Sequence, residues 1–205
     1  DQFFVTWMDA RNGSNDIYGA RVSAAGAVLD ANGLALSNNA NSQLYPSVAS
    51  DGSQFFVVWH ELRGLGNFDV CGARVSAAGA VLDADIEVSA LAGFQQFPSV
   101  AWDGNQFFVV WEDQRNGSNY DVYGARVSAA GEVLDDDGIA VSTAENSQVR
   151  PSVAWGGSEL LVVWQDRRSG GYDIYGTRVS SAGVVDSPSG TLLAASAHDD
   201  VDPKL

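Results

Sequence analysis

The stretch that decides the fold reads PSVAWDGNQFFVVWEDQRNGSNYDVYGARVSAAG, from Pro98 to Gly131. Within it, Gln106–Glu112 is apolar at consecutive positions, as expected for a strand buried between neighbouring sheets. A turn signal follows at Asn116–Asn119, and Asp121–Ser128 then alternates apolar residues with small or polar ones. These features predict an antiparallel hairpin.

The same unit recurs along the chain. Its apolar runs end at Trp7, Trp59, Trp111 and Trp164, at spacings of 52, 52 and 53 residues. A second block, YGARVSAAG or a close variant, follows each tryptophan. A period of this size is typical of a solenoid, a propeller or a tandem array.

Each unit holds enough short strands for one blade of a β-propeller. In the third unit, Ser99–Trp102 and Ile139–Ser142 add an inner and an outer strand to the hairpin. A helical fold fails because apolar residues never recur at helical spacing for more than a turn, and a β-helix would have a shorter period. The predicted fold class is therefore all-β, a β-propeller of four blades, each with about 52 residues and four antiparallel strands.

We expect a single propeller domain over residues 1–205, with repeats at approximately 1–45, 46–97, 98–150 and 151–202. The chain begins with the second strand of a blade, and residues 203–205 stand where the first strand of another blade would form. We favour closure of the first blade by residues 203–205 in a four-bladed ring. The alternatives are a fragment, or a homo-oligomer that completes a larger ring.

The composition narrows the classes of partner. The formal net charge is −15 and Lys204 is the only lysine, which argues against binding nucleic acid or an anionic membrane. No run of about 18 apolar residues exists, so no membrane insertion is expected. Cys71 is the only cysteine and stands at a strand position, so we interpret it as a small apolar filler. We expect a mature product or excised piece that is secreted or at the cell surface.

The repeat unit quoted above resembles two groups of propellers, the Tol-system periplasmic propellers and the bacterial sialidase-like (Asp-box) propellers. It is most similar to tandem repeats of secreted or lipid-anchored bacterial proteins. The resemblance implies a fold, and it implies no activity because function lies in sites grafted onto propellers. The strict Asp-box order is not present, and eight of the ten arginines occupy two repeated positions. A site resembling that of sialidases would need an arginine triad that does not repeat.

The most conspicuous polar motif is W-x-D-x-R-x-G…D, which follows each apolar run; the second copy has Glu61 for the first aspartate. We interpret the motif as a hairpin clamp in which aspartates accept loop N–H bonds and arginine bridges the carboxylates. The alternative is a calcium loop, although a guanidinium is rare among calcium ligands, so the metal stays unknown. The clamp residues are Asp9, Arg11, Asp16, Glu61, Arg63, Asp69, Asp113, Arg115, Asp121, Asp166, Arg168 and Asp173.

Four residues are candidates for ligand binding because they break the repeat or end inner strands. Trp102 and Trp155 end the PSVAW strands, where an exposed ring would stack on sugars, whereas core packing is the alternative. His60 and Arg150 stand where other repeats have different residues. Nothing close in sequence forms a nucleophile–base pair with His60, so we identify no catalytic residue.

Two functions remain open, with a structural spacer of a large surface protein as a third. The first is a non-catalytic extracellular propeller for binding or surface display, lectin-like, with weak repeated sites for glycans or other surface proteins. It needs no cofactor, and calcium is the cation its loops would suit. The second is a glycan-processing, sialidase-like enzyme or a fragment of one. This would need acidic and basic residues specific to single blades that converge on the central channel.

Overall fold

The computed structural model describes residues 2–37, 39–63, 66–196 and 198–205, which form fifteen β-strands in four antiparallel sheets. No helix occurs in these ranges, and so none could cross a bilayer. The first sheet contains β1 (Gln2–Asp9), β2 (Asp16–Ser23) and β3 (Leu34–Ser37), and the second contains β4 (Gln43–Ser50), β5 (Gln54–Arg63), β6 (Asn67–Ser76) and β7 (Val81–Ser89). The third contains β8 (Gln95–Trp102), β9 (Gln106–Asp113), β10 (Asp121–Ser128) and β11 (Ile139–Ser142), and the fourth contains β12 (Gln148–Trp155), β13 (Leu160–Asp166), β14 (Asp173–Val179) and β15 (Thr191–Ala194).

The hairpin quoted from the sequence is present with continuous register. Gln106 pairs with Ser128 at one end of β9 and β10, and Asp113 pairs with Asp121 at the other. The same register recurs in the other three sheets. Inner strands β4, β8 and β12 and outer strands β3, β7, β11 and β15 flank these hairpins.

The sheets stack face to face, and their hydrophobic cores lie between them. Phe108 and Val110 of the third sheet pack against Val162 and Trp164 of the fourth. Trp59, like Trp164, is fully buried against the preceding sheet. Successive apolar residues of one strand therefore pack alternately against the sheet before and the sheet after, as expected for a sheet covered on both sides.

Polar side chains tie successive sheets together. Gln54 of the second sheet donates from Nε2 to the carbonyl oxygen of Ala129 in the third, at 2.7 Å. Gln2 makes the same contact with Ala77, at 2.8 Å. These contacts place equivalent strand ends at equivalent positions around one axis, which confirms the all-β propeller fold.

The first sheet differs from the others because it has three strands in the structure. Leu205, at the end of the segment expected to complete it, donates its backbone N–H to Ser152 Oγ at 3.2 Å. Val153 and Val100 make the same contact with Ser99 and Ser47 of the preceding sheets. Leu205 therefore occupies the position that follows Val100 and Val153 in the series of inner strands. Closure of the ring stays a prediction.

Candidate functional site

A cavity of about 370 Å³ lies on the propeller axis, where the inner strands converge. Each inner strand enters it through an X-Pro-Ser-Val segment, and Lys204 and Leu205 stand at the next equivalent position. The lining residues are Tyr45, Pro46, Ser47, Val48, Phe97, Pro98, Ser99, Val100, Arg150, Pro151, Ser152, Val153, Lys204 and Leu205.

The residue before each of these prolines has a left-handed backbone conformation. The φ angles are 53° at Tyr45 and Phe97, 55° at Arg150 and 52° at Asp202. Such angles are rare for residues with large side chains. They coincide with a register shift in β4, β8 and β12, which is a β-bulge that turns one side chain of each strand. Backbone strain of this kind is concentrated at functional sites.

Three of these residues form a stack at the mouth of the cavity. The Tyr45 and Phe97 rings meet edge to face, with centroids 4.6 Å apart. The Arg150 guanidinium carbon lies 3.7 Å from the Phe97 centroid and 5.8 Å from that of Tyr45. Tyr45 is exposed and Arg150 is half-buried, so this aromatic and cationic surface is open to a ligand.

His60 lies behind the stack and supports it. Its Nδ1 accepts the backbone N–H of Phe97 at 2.9 Å, and its ring contacts those of Tyr45, Phe97 and Phe68. Burial lowers the pKa of His60 to about 3, and the positive charge of Arg150 lowers it further in the same direction. The imidazole is therefore neutral near neutral pH, which fits its role as an acceptor.

Glu112 occupies the equivalent position in the third sheet. Its Oε1 accepts the backbone N–H of Arg150 at 2.8 Å, so it holds the next bulge as His60 holds the one before. Burial raises the pKa of Glu112 to about 7, against the opposing effects of the Arg150 N–H and charge. The carboxyl is consequently protonated over much of the acidic range.

Glu112→Gln should change how stability depends on pH. In the unfolded chain the carboxyl ionises near pH 4.5, whereas in the folded protein it keeps its proton until about pH 7. The stability that this site contributes is therefore present below pH 4.5 and is lost as the pH rises through about 7, on the order of 3 kcal/mol. Denaturant unfolding of both proteins from pH 4 to 8 should show the free energy of unfolding of the wild type falling by this amount relative to that of the variant. The lowered pKa of His60 makes stability rise with pH over part of this range in both proteins, so the difference between them reports on Glu112. Glu145→Gln, which changes an exposed carboxyl, is the matched control, and equal slopes for both variants would contradict the assignment.

The four residues expected at the ligand site are placed in two different regions. Arg150 lines the cavity mouth, and His60 is buried behind it, where it holds the Phe97 backbone. Trp102 and Trp155 lie at the opposite ends of their inner strands, where both pack against buried core residues. Tyr45 and Phe97 were missed, although they share with Arg150 the variable position before a repeated proline.

The repeated Asp/Arg motif forms local clamps in the first, third and fourth sheets. Asp113 is fully buried and accepts from Trp111 Nε1 at 2.8 Å, and from the Arg115 backbone N–H and Nε at 2.9 and 2.8 Å. Arg115 also covers the Tyr123 ring, at 3.9 Å. The equivalent contacts link Asp9 to Arg11 and Asp166 to Arg168.

One detail of the expected clamp is corrected by the geometry. Arg115 does not bridge Asp113 and Asp121, because its Nε and Nη2 bind Asp113 and its Nη1 binds the Asp137 carbonyl oxygen. Asp121 instead accepts from Asn116 Nδ2 at 2.9 Å. Asp16 is held by Asn12 and Asp173 by Ser169 in the same way.

The second copy of the motif has a different arrangement. Ligand atoms of Glu61, Cys71 and Asp85 lie within 4.8 Å of one another, but Arg63 pairs with both Glu61 and Asp85. A guanidinium at this place opposes the binding of a cation. Cys71 is buried, and burial raises the pKa of its thiol, in agreement with an apolar filler. Asp69 is buried in β6, and burial raises the pKa of its carboxyl.

No family model matches the chain, and no curated protein matches it in sequence. Solved structures are similar in fold. An endo-arabinase from Bacteroides thetaiotaomicron aligns with a TM-score of 0.59 at 12% identity, over 95% of this chain and 77% of that one. An α-L-arabinanase from Penicillium chrysogenum in complex with arabinobiose gives 0.60 at 12%, over 89% and 57%. The Trypanosoma rangeli sialidase gives 0.57 at 11%, over 86% and 33%. The chain thus shares its propeller fold with carbohydrate-active enzymes.

Proposed function

We propose that this chain is a carbohydrate-binding propeller whose glycan site is the mouth of the central cavity. The observation that carries the proposal is the open stack of Tyr45, Phe97 and Arg150. The same site would serve an extracellular lectin-like module or the substrate-binding part of an enzyme. Glycan recognition is therefore the function that the geometry supports best.

The chemistry of the mouth suits a sugar ring. The C–H face of a pyranose or furanose packs on an aromatic ring, while its hydroxyl groups need donors and acceptors around the rim. Tyr45 and Phe97 supply the rings, and Arg150 supplies N–H donors above them. Ser47 and Ser99 line the cavity, and each hydroxyl oxygen already accepts a backbone N–H, so its proton is free to donate to a ligand.

The fold neighbours support a glycan over other ligands. One of them is the arabinanase in complex with arabinobiose, and another is an exo-β-1,3-galactanase with β-1,3-galactotriose. Their identity to this chain is 12% and 15%, so they support the class of ligand and identify no particular sugar. Secretion or surface display is part of the proposal.

Tyr45→Ala should weaken glycan binding about tenfold or more, because it removes half of the aromatic surface at the mouth. A glycan array on the wild type, including arabino- and galacto-oligosaccharides, selects the ligand, and titration calorimetry measures both proteins. Tyr172→Ala is the matched control, since this ring also lies beneath an arginine, Arg167, but outside the cavity. Equal affinities for the two variants, or no array binding, would overturn the proposal.

Thermal melts with and without calcium test whether the cation assists glycan binding.

Hydrolysis of a glycosidic bond is the second candidate, and the arabinanases and the sialidase among the fold neighbours favour it. A glycosidase needs a carboxylic acid that keeps its proton near neutral pH, together with a second carboxylate. The raised pKa of Glu112 meets the first condition, but its side chain is buried behind the Arg150 bulge and outside the cavity lining, so a substrate reaches it only if Arg150 moves. Asp202 precedes Pro203, as Arg150 precedes Pro151, and offers a second carboxylate. Release of reducing ends from an array-selected glycan by the wild type, but not by Glu112→Gln, would establish this activity. Binding without release leaves the chain a binding module.

A further inference from the structure

Positive charge is concentrated at the central cavity, although the chain as a whole is strongly acidic. The formal net charge is −15, and Lys204 is the only lysine. Lys204 and Arg150 both line the cavity, and no aspartate or glutamate is among the lining residues that the structure describes. A cleft lined by charges of one sign focuses their field and attracts ions of the opposite sign. The cavity therefore differs in charge from the acidic protein around it.

The charge of Arg150 is not taken up by an ion pair of the usual kind. The eight arginines at repeated positions each pair with a carboxylate of their own sheet. Within the described part of the chain, Arg150 has one carboxylate nearby, since its Nε lies 3.9 Å from Glu112 Oε1. That oxygen already accepts the Arg150 backbone N–H, and burial raises the pKa of Glu112 to about 7. Glu112 therefore compensates the positive charge only in part.

The orientation of Arg150 leaves its donors accessible. The guanidinium carbon lies over the Phe97 ring, at 3.7 Å from the centroid, so one face of the group is occupied by the aromatic ring. The N–H donors of a guanidinium lie in its plane, and they remain available when a face is stacked. Arg150 can thus bind a ligand that packs on the same aromatic surface.

The position after each repeated proline supplies a further donor to the cavity. Lys204 occupies this position in the last copy, where the other three copies have Ser47, Ser99 and Ser152. Each serine hydroxyl oxygen accepts a backbone N–H from the next position around the axis, at 3.2 or 3.3 Å, which leaves its proton for a ligand. The side chains at this level therefore offer an ammonium group and three hydroxyl donors.

We propose that the glycan bound at the cavity mouth is an acidic one, whose carboxylate binds Arg150 and Lys204 while its ring packs on Tyr45 and Phe97. This inference rests on the proposed function and names the class of sugar. The planar fork of a guanidinium matches the two oxygens of a carboxylate, and charge-assisted hydrogen bonds are roughly twice as strong as neutral ones. A neutral sugar would leave the two cations without a counter-charge.

The test compares sugars that differ only in charge. Matched pairs on a glycan array are oligosaccharides of galacturonate and galactose, and of glucuronate and glucose, in which a carboxylate replaces a hydroxymethyl group. By titration calorimetry, the wild type should bind the acidic member of at least one pair about tenfold or more tightly than its neutral partner. This preference should fall as the salt concentration rises, because salt screens charges that are open to solvent.

Variants assign the preference to the two cations. Arg150→Gln should lower the affinity for the acidic sugar about tenfold or more and change that for the neutral partner little. Lys204→Gln should have a smaller effect, about threefold, because Lys204 is exposed. Arg167→Gln is the matched control, since it changes the net charge equally and Arg167 lies over the Tyr172 ring outside this cavity. Circular dichroism checks folding, and if Arg150→Gln does not fold, the exposed Lys204 position decides.

The outcomes separate this inference from the proposed function. Equal binding of both members of every pair, or an unchanged preference in Arg150→Gln and Lys204→Gln, would overturn the acidic sugar and leave glycan binding intact. Binding restricted to sulfated neutral sugars on the same array would assign the cations to a sulfate group and would also overturn it. Absence of binding to any glycan would overturn the proposed function, and this inference with it.

Discussion

Asp113→Ala should lower the free energy of unfolding by about 3 kcal/mol or more. The substitution removes the acceptor for Trp111 Nε1 in a site without solvent, and it leaves that indole N–H unsatisfied. It also removes both carboxylate oxygens that the Arg115 Nε and Nη2 groups bind, together with the acceptor of its backbone N–H. Breaking a buried ion pair by removing one partner typically costs 3–5 kcal/mol. Urea unfolding followed by tryptophan fluorescence measures the change.

The first sheet offers the matched control for this prediction. Asp9 makes the same contacts with Trp7 and Arg11, but Arg11 is considerably more exposed than Arg115. Asp9→Ala should therefore destabilise the protein less than Asp113→Ala, because water replaces part of what is lost. If Asp113→Ala left stability unchanged and abolished calcium or glycan binding, the aspartate loop would be a ligand site and the clamp interpretation would be wrong.

Gly124→Ala should lower the free energy of unfolding by about 3 kcal/mol. A Cβ atom at this position of β10 would lie 2.8 Å from the Val109 carbonyl oxygen and 2.9 Å from the Phe108 ring. Both neighbours are fully buried, so they have no space to move, and overpacking a core costs about 1–3 kcal/mol. Thermal and urea unfolding of the variant measure the loss.

A double-mutant cycle tests the cause that we assign. Phe108→Leu creates space beside Gly124, and the fourth repeat has Leu161 at the equivalent position. The double variant should therefore lose less stability than the sum of the two single variants. Strict additivity would show that the ring contact is not responsible, and a stable Gly124→Ala variant would refute the prediction itself.

The sequence was sufficient for the parts of the fold that local pattern determines. The run from Gln106 to Glu112 predicted a strand between two sheets, and its residues are buried on both faces. The repeated Asp/Arg motif predicted a clamp whose contacts are mostly local in sequence, such as those of Asp113 with Trp111 and Arg115. The glycine inside the second strand of each repeat, such as Gly124, also indicated a close contact, because glycine inside a strand often marks a place where another backbone or side chain comes near.

The cavity mouth was only partly predictable, for two physical reasons. A residue before proline is normally extended, so nothing local indicated the left-handed bulges at Tyr45, Phe97 and Arg150. Their convergence also depends on the radial arrangement of sheets about 50 residues apart, which no spacing specifies. His60 and Arg150 were predicted at a ligand site because they break the repeat, and they lie near each other in the structure, whereas Trp102 was chosen for its chemistry and lies at the other end of its inner strand. Their role in binding stays a prediction.

The bulges lie at positions whose residues differ from one repeat to the next, whereas the strands around them have nearly the same sequence in every repeat. The residues before proline are tyrosine, phenylalanine, arginine and aspartate, and the first three of them line the cavity. The residues after the strand-ending tryptophan are methionine, histidine, glutamate and glutamine. Neither series contributes to the face-to-face contacts that every unit repeats. Duplication of a unit would therefore copy the scaffold intact, and later substitutions at these two positions would diversify recognition one side chain at a time. Each unit would then contribute its own side chain to ligand recognition, while the strands that carry these side chains stay the same.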